Sequence, residues 1–326
     1  MKRFLLVICL ALFSMSISAQ TPPVVRIGSE LFTESIILSQ MVKIALDEAG
    51  IPTEDRTQLG GTDANRNALL NGQTDVYVEY TGTALFNFFT DIEWFDPNAL
   101  NKADPIAGYS AVSQMDSLFN DLAWLHPAQG SNAYGLVVTR SFASTNGLAT
   151  MSDFATFVNG GGTVLLVANE EFASRPDGLP AFEEAYGFDI DGSQLLVING
   201  STTSLTEEAV STGVNSINVG MAFTTDALID AYDLVLLQDN LGAQPLFQPA
   251  PVFRQEILAE YPQIMGILNP IFASITSDTL RTLNGRVDTN KETHESVARA
   301  YLEENNYFRP IEEPEEELED EESSGG

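Results

Sequence analysis

The alternation of apolar and polar positions first predicts a short strand at Val24–Gly28, and then its period lengthens. Ile36, Ile37, Met41, Ile44 and Ala45 share one face of a helix running from Phe32 to Ala49, which Gly50 and Pro52 end. Residues 55–59 predict a second strand, Gly60-Gly61-Thr62 a tight loop, and Asp63–Leu70 a second helix closed by Asn71-Gly72. Val76 and Val78 alternate with Tyr77 and Glu79, which predicts a third strand over 75–79 that runs into a Gly-containing turn and a new helix. With right-handed crossovers this β-α-β-α-β order brings three loops to one edge of a parallel sheet. The loops are Ser29-Glu30-Leu31, Gly60-Gly61-Thr62 and Tyr80-Thr81-Gly82-Thr83. Open α/β sheets bind ligands beyond the carboxyl ends of their strands. Tyr80, Thr81 and Thr83 therefore read as small-molecule contacts, against the alternative of a core-capping ring and a helix start.

A Pro- and Asp-rich connection covers 91–104, followed by a helix at Ile106–Leu118. A second α/β pattern opens at Asn132–Val138, with strands over 164–168, 194–198, 216–222 and Leu234–Leu237 and helices over 180–186 and near 204–212. After Pro249 and Pro251 the pattern is helical, at 254–260, 262–274, 277–284 and 293–304. This order predicts two lobes, the second inserted into the first, with crossings near 129–133 and 224–233. The first lobe would comprise 24–128 and 232–309, the latter part mostly helical, and the second lobe 129–231. No internal repeat is evident.

Charge and the two ends narrow the picture. Lys2 and Arg3, an apolar run from Phe4 to Phe13 and small residues up to Ala19 form the pattern of a secretory signal peptide over 1–19, so an exported chain starting near Gln20 is expected. Cys9, the single cysteine, falls inside it. At the other end, nine acidic side chains between Glu312 and Glu322 predict a disordered acidic tail over 311–326. Acidic residues outnumber basic ones 46 to 15, which opposes nucleic acid and anionic lipid and suits a cationic or zwitterionic ligand. His126 and His294 stand far apart without cysteine partners, so no zinc constellation is expected. No nucleophile elbow or complete phosphate loop occurs, and an enzyme is not expected.

The chain resembles the extracytoplasmic substrate-binding proteins of ABC transporters for glycine betaine, choline, carnitine and related osmoprotectants. The resemblance rests on Ile27-Gly-Ser-Glu-Leu-Phe-Thr-Glu34, Leu59-Gly-Gly-Thr62, Ala68-Leu-Leu-Asn-Gly72, Glu79-Tyr-Thr-Gly-Thr83, Asn132-Ala-Tyr134, Arg175-Pro-Asp-Gly-Leu-Pro180, Ala185-Tyr-Gly187, Phe223-Thr-Thr-Asp226, Tyr232–Leu237, Pro249-Ala-Pro-Val252 and Leu283-Asn284. It implies an α/β, two-lobed, periplasmic-binding-protein-like (type II) fold with a doubly wound sheet in each lobe and a hinge. It also implies a cage of aromatic rings around a quaternary ammonium group, which cannot donate hydrogen bonds and is held by ring faces instead.

Carried over by position, Tyr80 is similar to a cage residue, Thr83 to a donor for the ligand's polar end, and Tyr134 to the aromatic of the Asn-Thr-Tyr motif, here with Ala133. Phe223 stands where Tyr is usual, keeping the ring without the hydroxyl, and Glu207 falls loosely where a further Tyr is common. Glu30 replaces a Lys or Gln, and an ionised Glu can only accept hydrogen bonds, so a ligand without a carboxylate is expected to bind better than betaine unless Glu30 faces solvent. The resemblance thus implies the monomeric, extracytoplasmic solute-binding component of an ABC importer, working with a membrane permease and needing neither cofactor nor metal. A module of the same fold for another cation such as a polyamine, or one serving a sensor, is the alternative.

Overall fold

The computed structural model describes residues 23–308, so the expected signal peptide and acidic tail lie outside the described residues. Among the described residues ten strands form: β1 Val25–Gly28, β2 Thr53–Arg56, β3 Val76–Tyr80, β4 Leu122–Trp124, β5 Tyr134–Thr139, β6 Leu166–Ala168, β7 Leu195–Val197, β8 Val219–Phe223, β9 Leu234–Leu236 and β10 Pro249–Arg254. They make two five-stranded sheets, ordered β2-β1-β3-β10-β4 and β7-β6-β8-β5-β9. In each sheet three neighbouring strands run parallel and two are antiparallel additions. This is the two-lobed, mixed α/β arrangement of type II binding proteins.

The central strands are apolar because both sheet faces are covered. Val25, Ile27, Val76 and Val78 are fully buried. The helix Thr33–Glu48 packs between this sheet and the helices Ser277–Asp288 and His294–Glu304, which explains why it is buried almost all round, Ser35, Ser39 and Gln40 included. Each buried Ile, Leu or Val there contributes about 1.5–3 kcal/mol. The second lobe gathers Phe154, Phe172, Phe182, Leu166 and Met221 into its own core.

Two expectations change. The stretch with Pro249 and Pro251 is strand β10, inside the first sheet between β3 and β4. A proline breaks a ladder only where its N–H is needed. Pro251 and Pro249 offer their carbonyls to Leu125 N (2.9 Å) and Ala128 N (2.8 Å), on the side where the neighbouring chain has already left β4. The non-proline residues of the strand supply its donors, Arg254 N to Asp75 O at 3.1 Å among them.

The second change is the return crossing, expected within 224–233 with the first lobe resuming at 232. Leu234–Leu236 pairs instead with β5 in the second sheet, its Val235 opposite Val138. An edge was open beside β5, and an apolar strand that follows a four-residue helix fills it sooner than it can reach back to the first sheet. The chain therefore returns between 237 and 248. The two crossing segments lie side by side: Asn132 N donates to Phe247 O at 3.0 Å and Phe247 N to Ser131 Oγ at 2.9 Å.

Candidate functional site

Tyr80 ends β3, Phe223 ends β8, and the loop after β1 supplies Glu30 and Phe32, so the carboxyl edges of both sheets converge on one cavity between the lobes. All five residues singled out from the sequence, Glu30, Tyr80, Thr83, Tyr134 and Phe223, line it. At about 90 Å³ it is well below the about 300–1,000 Å³ of drug-sized pockets, which restricts it to a compact ligand.

One side of the cavity is aromatic. Tyr134 and Phe223 are register partners across β5 and β8, so their side chains leave the same sheet face and stack with centroids 5.2 Å apart and planes at 22°. Phe32 continues the row, 5.3 Å from Phe223 and 5.8 Å from Tyr80, and Phe247 meets Tyr134 edge-on at 6.0 Å. Phe247 comes this close because Gly82 has no side chain: a Cβ there would sit 2.8 Å from the Phe247 ring and 2.9 Å from Leu246 O.

The other side is charged. Arg175 of the second lobe reaches across the cleft, and each of its five N–H groups has a protein acceptor. Nε and Nη2 donate to Asp177 (2.9 and 2.6 Å), Nη1 to Glu171 and Thr62 (3.0 Å each), and Nη2 also to Thr83 at 3.3 Å. Glu171 in turn accepts from Thr62 N and Oγ1, both at 2.9 Å, so the two lobes are clasped here. The Arg175 guanidinium also lies 5.6 Å from the Tyr134 ring centre.

Glu30 does not face solvent: it is 7 % exposed, and its nearest polar side chain contact is Thr62 Oγ1 at 3.5 Å. Burial, then the neighbouring Glu79 and Glu171, push its pKa well above the usual carboxylate range, with Arg175 opposing. Glu79, fully buried beneath the site, is raised to about 7 by burial although Tyr80 N and Tyr77 Oη donate to it. The Tyr80 hydroxyl donates to Glu34 at 2.9 Å. The same Glu34 carboxylate accepts from Asn132 Nδ2 (3.0 Å), Thr225 Oγ1 (2.6 Å) and Asn284 Nδ2 (2.9 Å), joining both lobes and one crossing segment.

Phe32, Phe247, Arg175 and Glu34 were missed in the sequence. Arg175 sits in a segment that carried the resemblance, and Phe32 follows Glu30 at the edge where ligands were expected, so both left a signal. Phe247 left none, since only the second crossing brings it to the cavity. Glu207 does not line this cavity; it lines a neighbouring one.

Two sheeted lobes clasped over a ring-lined cavity define a solute-binding protein rather than an enzyme. The chain belongs to the family of substrate-binding domains of ABC-type glycine betaine transport systems, which it matches over residues 23–304. It is 37 % identical to the glycine betaine-binding protein YehZ of Escherichia coli over 90 % of this chain and 94 % of that one. The solved structure of that protein without ligand superposes with a TM-score of 0.63 over 87 % of this chain and 99 % of that one. A glycine-betaine-binding protein of Pseudomonas aeruginosa is 30 % identical over 93 % of this chain and 94 % of its own. A crystal structure described as a glycine betaine/carnitine/choline ABC transporter is 26 % identical, with a TM-score of 0.67 over 87 % of this chain and all of that one.

Proposed function

We propose that this protein captures a small quaternary ammonium solute in the ring-lined cavity and hands it, outside the cytoplasm, to an ABC permease, working as a monomer. The five residues Glu30, Tyr80, Thr83, Tyr134 and Phe223 are the proposed contacts, with Phe32 and Phe247 completing the aromatic wall. Ring faces and carboxylates suit a methylated cation, each ring contributing about 0.5–2 kcal/mol. Among the described residues no helix is long and apolar enough to cross a membrane.

Choline is the proposed ligand in preference to glycine betaine. The observation that carries this is Arg175: its five N–H donors are already used within the protein, so a betaine carboxylate would find no guanidinium donor while facing Glu171. Thr83 Oγ1 accepts from Arg175 and keeps its own proton for a ligand hydroxyl. A cation arriving beside Glu30 draws that carboxyl toward its ionised form, so uptake should release a proton. Titration calorimetry at pH 7, in buffers of different ionisation enthalpy, tests both points. Choline binding about tenfold tighter than betaine, with proton release, is expected. Tighter betaine binding would overturn the preference, and binding of neither would overturn the reading itself.

A further inference from the structure

Beyond Phe32 lies a second interlobe pocket of about 40 Å³. Four carboxyl groups wall it, Glu34 and Asp288 from the first lobe and Glu207 and Asp226 from the second, and no Lys or Arg among the described residues lines it. Three of the four are already engaged. Glu34 has its four donors, Asp288 accepts from Thr33 Oγ1 at 2.6 Å, and Asp226 accepts from Phe223 N at 2.7 Å. Glu207 is only 1 % exposed, yet no donor among the described residues reaches either of its oxygens. Burial, with Asp226 and Asp288 nearby, pushes its pKa up to about 10 and that of Asp226 to about 7. A buried carboxyl in such company stays protonated until a cation arrives to pair with it.

We infer that this pocket is a second cation subsite, which takes the N–H-bearing ammonium group of an amine with Glu207 and Asp226 as acceptors. Size favours the group: at about 40 Å³ the pocket is less than half the about 90 Å³ of the first cavity, which suits a small –NH3+ head better than a trimethylammonium. Donor chemistry selects it as well, because two carboxylate oxygens without partners are satisfied by N–H groups and not by methyl groups. Among the described residues no three acidic, His or Cys side chains are gathered as a metal ion requires, whereas an ammonium head can bond to separated acceptors one at a time. Phe32, Thr202 and Thr203 belong to the walls of both cavities, so the two are neighbours across these side chains. The inference does not depend on the quaternary ammonium reading.

Putrescine, a diamine without methylated nitrogen, is the probe. Calorimetry on the wild-type protein should detect its binding, and Glu207→Gln should weaken it about tenfold or more while changing choline affinity less than about threefold. Proton release on putrescine binding to the wild type, lost in Glu207→Gln, gives a second readout, and a melting curve checks that the variant is folded. If that variant does not fold, Asp226→Asn is measured in its place, with the same direction expected. No putrescine binding at millimolar concentration, affinity unchanged by the substitution, or binding abolished by Tyr134→Ala alone would overturn the inference. A failure of choline to bind would count against the proposed function and leave the putrescine result standing.

Discussion

Glu34 and Glu207 are both buried glutamates at the interface of the lobes, and both line the same small pocket, yet among the described residues Glu34 accepts four hydrogen bonds and Glu207 none. Their surroundings explain the difference. Glu34, on the first turn of its helix, meets an amide or hydroxyl from four separate parts of the chain, so its charge is spread over polar donors and its pKa is raised by burial against their opposition. Glu207, on the helix Thr203–Thr212, faces carboxylates, and its pKa is driven up with no donor opposing. One glutamate is a structural tie; the other has acceptor capacity that the folded protein leaves unused.

The largest test of this contrast is Glu34→Ala, which strands four polar groups in the interior. A loss of about 3–5 kcal/mol in stability by denaturant unfolding is expected, and a loss under about 1 kcal/mol would mean that the four bonds are not a unit. Tyr80 belongs to the tie through its hydroxyl and to the ligand wall through its ring, and two substitutions separate these. Tyr80→Ala should weaken choline binding by about 1–3 kcal/mol, whereas Tyr80→Phe should cost stability and keep most of the affinity.

Titration sharpens the comparison next. Burial holds Glu79 and Asp226 at about 7 and Glu207 at about 10, against ordinary values of 4.5, 3.8 and 4.5. A carboxyl whose pKa is raised by folding holds its proton more tightly when folded. Its stabilisation is therefore complete below the ordinary value and is lost as pH rises, through about 7 for the first two and about 10 for Glu207. The melting temperature should fall by about 5 °C or more between pH 5 and pH 9. Glu207→Gln should flatten the upper part of that slope, and a melting temperature that rises with pH would contradict the assignment. The smallest effect belongs to Thr225→Val, which removes one of four donors to Glu34 and should cost about 1 kcal/mol in the same unfolding measurement.

Periodicity made most of the fold legible, because the central parallel strands β1, β3, β6 and β8 are buried on both faces and the helices between them carry apolar stripes. It failed where local and tertiary signals disagree. Pro249 and Pro251 argue against a strand, and only the departure of the chain after Trp124 makes β10 tolerable. The strand Leu234–Leu236 reads correctly as a strand, but nothing in its residues says which sheet has an open edge. In the site, Tyr80, Tyr134 and Phe223 were legible because they sit at strand ends within recognisable motifs. Phe247 depends on the route of the second crossing. Arg175 and Glu207 depend on which partners surround them, which no spacing of residues records.

The place of β10 also bears on the order in which the molecule can be built. The second sheet uses strands from one continuous stretch, 134–236, and is complete once that stretch exists. The first sheet has its last-made strand in its interior, so β4 has no neighbour and β3 only β1 until residues 249–254 arrive. During synthesis the first lobe is left as an unfinished half-sheet while the inserted lobe can already close. Such long-range pairing slows folding, so the first lobe is the later of the two to close.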